Sequence, residues 1–363
     1  MDHEHGLRRL IRRARRALRD RTSRWLARLA ATPTPCHAPL PCPTRILVCR
    51  VNKRLGNTVL LTPLLQSLAA TFPQARIDVL VQGRYNGVLL ENLPGVNRVH
   101  EVPTEPWPLL RRLVPLIRHL RRQRYDLAID PNNHSSSNRL AMAVSGARYR
   151  LGFAAADQWL KLTHAAAFPD HEPHTGLQPL YLLAAITGTP VHRIKTTAVG
   201  LTDHQRSRAH NRLQASLGAA ADGPLIGFFA EATGGKQLPG DWWQAWCTAV
   251  QEQAPDATLV QIVRPGGPAL APTATPVGTS DLGELAAIIE QMDGFIAADS
   301  GPMHLASATG VPVLGLFQAT PPERFAPLGE LCCAITTPVE PAAAARMLLA
   351  LRKQTDELLR RQG

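Results

Sequence analysis

Two short stretches hold side chains whose types and spacing suit chemistry. The first is Asp299-Ser300-Gly301-Pro302-Met303-His304: a carboxylate, a hydroxyl, a glycine and an imidazole directly after the apolar run 294–298. A strand ending at Asp299 and a helix starting at Ser300 would set free N–H groups and the positive end of a helix dipole beside these side chains. That arrangement holds a diphosphate. Gly301 would let phosphates approach the backbone, Pro302 suits a first helical turn, and Ser300 is the expected cap. On the residues alone, a tight strand–helix turn with a helix-facing histidine explains the same pattern.

The second stretch is the turn Asn52-Lys53-Arg54-Leu55-Gly56-Asn57, between the apolar run 45–50 and a helical pattern over 58–71. Strand–glycine turn–helix junctions are where α/β proteins place ligands and catalytic groups. This one offers two asparagines and no carboxylate. An amide has no proton acceptor that titrates near neutrality, so Asn57 cannot serve as a general base. Asp130, at the end of the apolar run 126–130, stands at a similar junction, where it would either take a proton or cap the next helix. His171-Glu172-Pro173-His174 is the one ligand-like cluster, but it lies in a proline-flanked loop rather than on a helix, which argues against a metal site.

The elements that position these groups alternate. Apolar strand patterns fall at 45–50, 77–81, 126–130, 225–230, 257–263, 294–298 and 312–317. Helical patterns fall at 58–71, 109–122, 239–253, 282–291 and 302–309. Repeated strand–helix units with β-branched strands imply parallel sheets covered on both faces. Two such series, separated by an irregular region near 150–200, predict an α/β chain of two Rossmann-like domains, 45–195 and 196–340. A last helix, 341–363, is expected to pack back across the first domain.

The 363 residues carry a net charge of +12, of which residues 1–30 hold +7. In that segment Leu7, Ile11, Ala14, Leu18, Trp25 and Leu29 recur at helical spacing among ten arginines. The pattern reads as a basic amphipathic helix for an anionic membrane surface, with a helix packed on its own domain or an organelle transit peptide as alternatives. Nucleic acid is not expected, because no binding module accompanies the charge. Residues 31–44 hold five prolines and read as a semi-rigid tether. A second arginine cluster, 111–124, is expected on a surface helix interrupted by Pro115. No run of about 18 apolar residues predicts a spanning helix, and there is no secretory signal pattern. Six cysteines without Cys-x-x-Cys spacing favour reduced thiols and a cytosolic location.

Asp-Ser-Gly-Pro-Met-His-Leu-Ala at 299–306, Gly-Val-Pro-Val at 310–313 and Phe317 together resemble the signature of glycosyltransferase family 9, the heptosyltransferases of lipopolysaccharide core assembly. Arg50, Gly56, Thr62-Pro63, Phe72-Pro73 and Ala75-Arg76-Ile77-Asp78 follow that family's opening pattern. Lys-Gln-Leu-Pro-Gly-Asp-Trp-Trp-Gln-Ala-Trp at 236–246 resembles its Lys-x-Trp-Pro segment, with Leu238 replacing a tryptophan. The resemblance implies a GT-B fold, in which an acceptor-binding and a donor-binding domain face each other across a cleft. It also implies inverting, metal-independent transfer of a sugar, usually from ADP-heptose, to a lipopolysaccharide core acceptor on the inner face of the cytoplasmic membrane. No cofactor is implied. Asp299, Ser300, Gly301 and His304 would contact the donor. Lys236, presented by Thr233, Gly234 and Gly235, would neutralise the departing diphosphate. Arg54, Gly56 and Asn57 would meet the acceptor.

Asn57 stands where the family carries its proposed base, an aspartate, and Asn52 at another position that is usually acidic. Three readings follow. Asn57 orients the acceptor while Asp130 or Glu231 takes the proton; or proton loss is late and donor activation suffices; or the chain is an inactive relative that binds nucleotide sugar or acts as a scaffold. A different donor or a protein acceptor is a further alternative.

Overall fold

The computed structural model describes residues 40, 42–83, 87–103, 109–155, 160–188 and 193–362. Expectations placed on the basic segment 1–30, and on nearly all of the tether, lie outside these residues.

The first sheet contains β1 (Arg45–Arg50), β2 (Arg76–Gln82), β3 (Val96–Val102), β4 (Leu127–Ile129), β5 (Tyr149–Phe153) and β6 (His164–Ala166), in the order β3-β2-β1-β4-β5-β6. The second contains β7 (Leu225–Phe229), β8 (Thr258–Val263), β9 (Ala274–Gly278), β10 (Gly294–Ala298), β11 (Val313–Phe317) and β12 (Cys332–Thr336), in the order β12-β11-β10-β7-β8-β9. Both sheets are parallel throughout. Ile46 to Cys49 and Phe295 to Ala298 are fully buried, as strands covered on both faces require. Each sheet reverses its winding at one point, between β1 and β4 and between β7 and β10. The crevice beyond the strands' carboxyl ends at such a point is where α/β sheets bind ligands.

The helices are α1 (Leu55–Val59), α2 (Thr62–Thr71), α3 (Leu109–Arg122), α4 (Ser136–Ser145), α5 (Tyr181–Thr187), α6 (Asp203–Leu217), α7 (Gly240–Gln253), α8 (Leu282–Glu290), α9 (Gly301–Thr309), α10 (Pro322–Phe325) and α11 (Pro341–Gln362). The single helix expected over 58–71 is therefore two. Pro63 has no N–H to donate to the turn before it, so the helix restarts, and the Thr62 hydroxyl donates to the Val59 carbonyl at 2.8 Å. Conversely, Pro115 does not interrupt α3, which runs through it. α8 is capped by Asp281, whose side chain accepts from the Gly283 and Glu284 N–H groups.

Ala344, Ala345 and Leu348 are buried with Trp243, Trp246, Ile296 and Leu314, so the first part of α11 packs on α7 and the second sheet. Strands β3, β5, β6, β9 and β12 are the ones the pattern missed. Most are short or half-exposed outer strands, and their apolar signal is correspondingly weak.

Candidate functional site

At the second sheet's switch point, β10 ends at Ala298 and Asp299 follows at its carboxyl edge. Across the crevice, the chain after β7 carries Thr233, Gly234 and Gly235 in an exposed turn. Gly234 adopts φ +68°, a left-handed conformation that glycine accepts without strain. The turn delivers Lys236, whose Nζ lies 2.5 Å from Asp299 Oδ2. Thr320, just beyond β11, donates its hydroxyl to the same oxygen at 2.6 Å. Lys236 is thus held over the start of α9 by a buried carboxylate. Thr320 is a residue the sequence did not point to, because it lies 21 positions from its partner.

Ser300 occupies the N-cap position of α9 but makes no capping bond, contrary to expectation; its hydroxyl is buried with no partner among the described residues. A Cβ on Gly301 would sit 3.0 Å from the Leu55 Cβ, so its missing side chain makes room for α1. Gly56 returns the contact: a Cβ on it would lie 2.8 Å from His304 Cδ2. The two glycine turns, one from each sheet, therefore pack directly on each other.

His304 is the centre of this contact. It is 4% exposed, with Nε2 3.9 Å from Asp299 Oδ1 and Nδ1 buried without a partner among the described residues. Burial lowers its pKa to about 4, against the opposing pull of Asp299, so the ring is neutral at pH 7. The Thr58 hydroxyl, on α1, is likewise buried and unpartnered. The Ser300 hydroxyl and His304 Nδ1, at the start of α9, and the Thr58 hydroxyl, on α1, are thus three buried polar atoms without a partner among the described residues. Buried polar groups are rarely left unpaired.

In the first sheet, the Arg50 side chain donates to the Asn57 carbonyl at 3.3 Å and ties the turn to β1. Asn52 accepts from the Arg54 N–H at 2.8 Å, an Asx turn that launches α1, so its amide is structural. Arg54 is exposed at the N-cap of α1, and the half-buried Asn57 amide has no hydrogen bond among the described residues. Asp130 does not face the crevice. It is fully buried, and its oxygens accept from the Asn132 N–H, the Asn138 amide and Arg139 at 2.8–3.0 Å. Burial raises its pKa against the lowering effect of Arg139. It is the partner of a buried guanidinium and neither a cap nor an exposed base; Ser135 caps α4. Glu231 follows β7 at the crevice, half-exposed, 3.3 Å from Arg264.

His174 is spent across the two halves: Nε2 donates to the Ala326 carbonyl and Nδ1 accepts from the Gly176 N–H. His171 packs edge-on against Tyr181. Among the described residues, no group of three or more His, Cys, Asp or Glu side chains is placed to hold a metal ion.

A profile described as glycosyltransferase family 9 (heptosyltransferase) matches residues 113–353. The chain belongs to glycosyltransferase family 9. The matched span includes Lys236 and the Asp299–His304 segment but begins within α3, after the Asn57 turn. Lipopolysaccharide heptosyltransferase 3 of Escherichia coli K12 is 26% identical over 288 residues, covering 73% of this chain and 80% of its own length. Among solved structures, a family 9 glycosyltransferase from Veillonella parvula superposes with TM-score 0.74 at 18% identity, covering 86% of this chain and 97% of its own. The E. coli ADP-heptose lipopolysaccharide heptosyltransferase II gives 0.68 at 20% identity, covering 86% and 99%. These family 9 structures share the two-sheet GT-B architecture. They do not by themselves assign residues here.

Proposed function

We propose that the protein transfers a heptose-like sugar from a nucleotide-sugar donor, ADP-heptose, to a lipopolysaccharide core acceptor, with inversion and without a metal ion. The observation that carries this is Lys236, fixed by Asp299 at the amino end of α9. The donor's diphosphate would lie there, against the free N–H groups of the first turn and the unpartnered Ser300 hydroxyl. The acceptor hydroxyl attacks the anomeric carbon from the face opposite the diphosphate. A carbon–oxygen bond forms, the bond to the diphosphate breaks, and Lys236 and the helix dipole stabilise the charge that departs. Such fixed cations and dipoles lower a barrier without reorganising.

Asn57 orients the acceptor hydroxyl through its carboxamide, and the hydroxyl proton passes late to Glu231 or to solvent. Loss of a strong base costs about 10²–10⁴-fold, which leaves measurable turnover. The amide at Asn57 also favours a second reading, a nucleotide-sugar-binding scaffold without transfer. The acceptor's location places the enzyme on the cytoplasmic face of the membrane, with residues 1–30 against anionic lipid.

The test is ADP release by the purified full-length chain from ADP-heptose and lipid A–core acceptors, alongside thermal shifts with other nucleotide sugars. Sugar transfer with ADP-heptose supports the proposal. Stabilisation by UDP- or GDP-sugars alone would overturn the donor, and donor binding without transfer to any acceptor would establish the scaffold.

A further inference from the structure

Helix α3 carries a feature that neither the fold nor the transfer reaction uses. Its inner face is spent on the core: Leu120 is buried, and Leu116 packs on the cluster around Leu47, Tyr125 and Met142. Its outer face exposes Arg112, Arg118 and Arg122, with Val114 and Pro115 among them, while Arg121, also exposed, donates to the Val144 carbonyl at 3.0 Å. Val114, at 41% exposure, is the one large aliphatic or aromatic side chain that stands exposed among the described residues. Residues 106–125 contain six arginines and no Asp or Glu. Helical spacing sets Arg118 one turn from both Val114 and Pro115, so an apolar tip is bracketed by guanidinium groups.

The topology directs this face. In a parallel strand–helix–strand unit, the helix begins at the carboxyl edge of the sheet. The amino-terminal half of α3, with Val114 and Pro115, therefore stands at the same edge as the Asn57 turn. The strongly basic segment 1–30 is a poor occupant for a cationic face. A bilayer with anionic headgroups satisfies both halves of the pattern: the arginines pair with phosphate, and Val114 and Pro115 enter the acyl boundary.

We infer that α3 is a membrane-docking element, placing an anionic lipid surface against the first domain at the edge where the Asn57 turn opens. Docking here is independent of which sugar is transferred, and the vesicle measurement needs no donor.

The test is sedimentation of the full-length protein with vesicles of phosphatidylglycerol and phosphatidylcholine, and with phosphatidylcholine alone. Each arginine withdrawn near an anionic surface lowers partitioning about fivefold, so the Arg118→Gln/Arg122→Gln pair should weaken binding to anionic vesicles about 25-fold. Val114→Asp should weaken it as well. The same charge removed from α11, as Arg346→Gln/Lys353→Gln, should change binding less than about twofold, because those groups lie on the second sheet's helix layer. All five positions are exposed, and unchanged urea unfolding of each variant verifies its fold. Binding by the α3 variants equal to the parent's would overturn the inference. So would an equal loss from the α11 pair, which would mean bulk charge alone. Retained vesicle binding with lost turnover on a detergent-free core oligosaccharide would assign the arginines to the acceptor's own anionic groups, and also overturn it.

Discussion

The contact between Gly56 and His304 makes a prediction whose sign depends on one neighbour. Gly56 lies inside α1 and is not among the residues with positive φ, so the backbone itself accepts an alanine. A helical Gly→Ala change alone stabilises by about 0.5–1 kcal/mol. In the native protein, however, the new Cβ would sit 2.8 Å from the His304 ring, and ordinary contact begins at 3.4 Å. The ring is buried and the facing elements are helices, so the overlap cannot be relieved by a side chain swinging into water. Overpacking of this kind costs about 1–3 kcal/mol. Gly56→Ala should therefore destabilise the protein when His304 is present and stabilise it in an His304→Ala background, a coupling of about 1–3 kcal/mol. The assay is urea unfolding of the parent, both single variants and the double variant. The cavity left by His304→Ala is common to both arms and cancels. The same destabilisation in both backgrounds would refute the close packing of the two glycine turns.

Asn57→Asp places a carboxylate at the turn proposed to meet the acceptor, and turnover should rise by about 10²–10⁴-fold if proton transfer limits the rate; an unchanged kcat in a steady-state assay would place the limiting step elsewhere. Asp130→Asn should leave the Arg139 charge buried without its counter-ion and cost about 3–5 kcal/mol, measured by denaturation, while the folded fraction keeps near-parental kcat. A catalytic loss in fully stable protein would contradict the structural role given to Asp130. His304 has a pKa near 4 when folded and an ordinary value near 6.5. Its depressed pKa means the unfolded chain takes up the proton first. Stability is then full above pH 6.5 and falls as pH drops from 6.5 to 4, by on the order of 3 kcal/mol. Unfolding curves at stepped pH should show this slope and lose it in His304→Asn; an unaltered slope in that variant would assign the effect to other groups.

Much of the architecture was legible in the chain because buried parallel strands leave nearly continuous apolar runs. β1, β7, β10 and β11 announce themselves in this way, and so does the Asp299–His304 segment after β10. The outer strands were not legible, since a half-exposed strand of three to seven residues mixes polar and apolar positions without a clear period. The break at Leu60-Leu61 was readable in principle from Pro63, whose missing N–H forbids a continuous helix.

What the sequence alone determined was the kind of site: a helix amino end after a strand, a lysine delivered by a glycine turn, and an asparagine where a carboxylate would be expected. These are local properties, set by residues within a few positions of one another. What only the tertiary structure decided is which of those groups meet. Asp299 belongs to Lys236 and Thr320, Asp130 belongs to Arg139, and Gly301 and Gly56 make room for Leu55 and His304. Contacts across 9 to 250 positions depend on how two sheets wind and face each other. No local pattern encodes that distance.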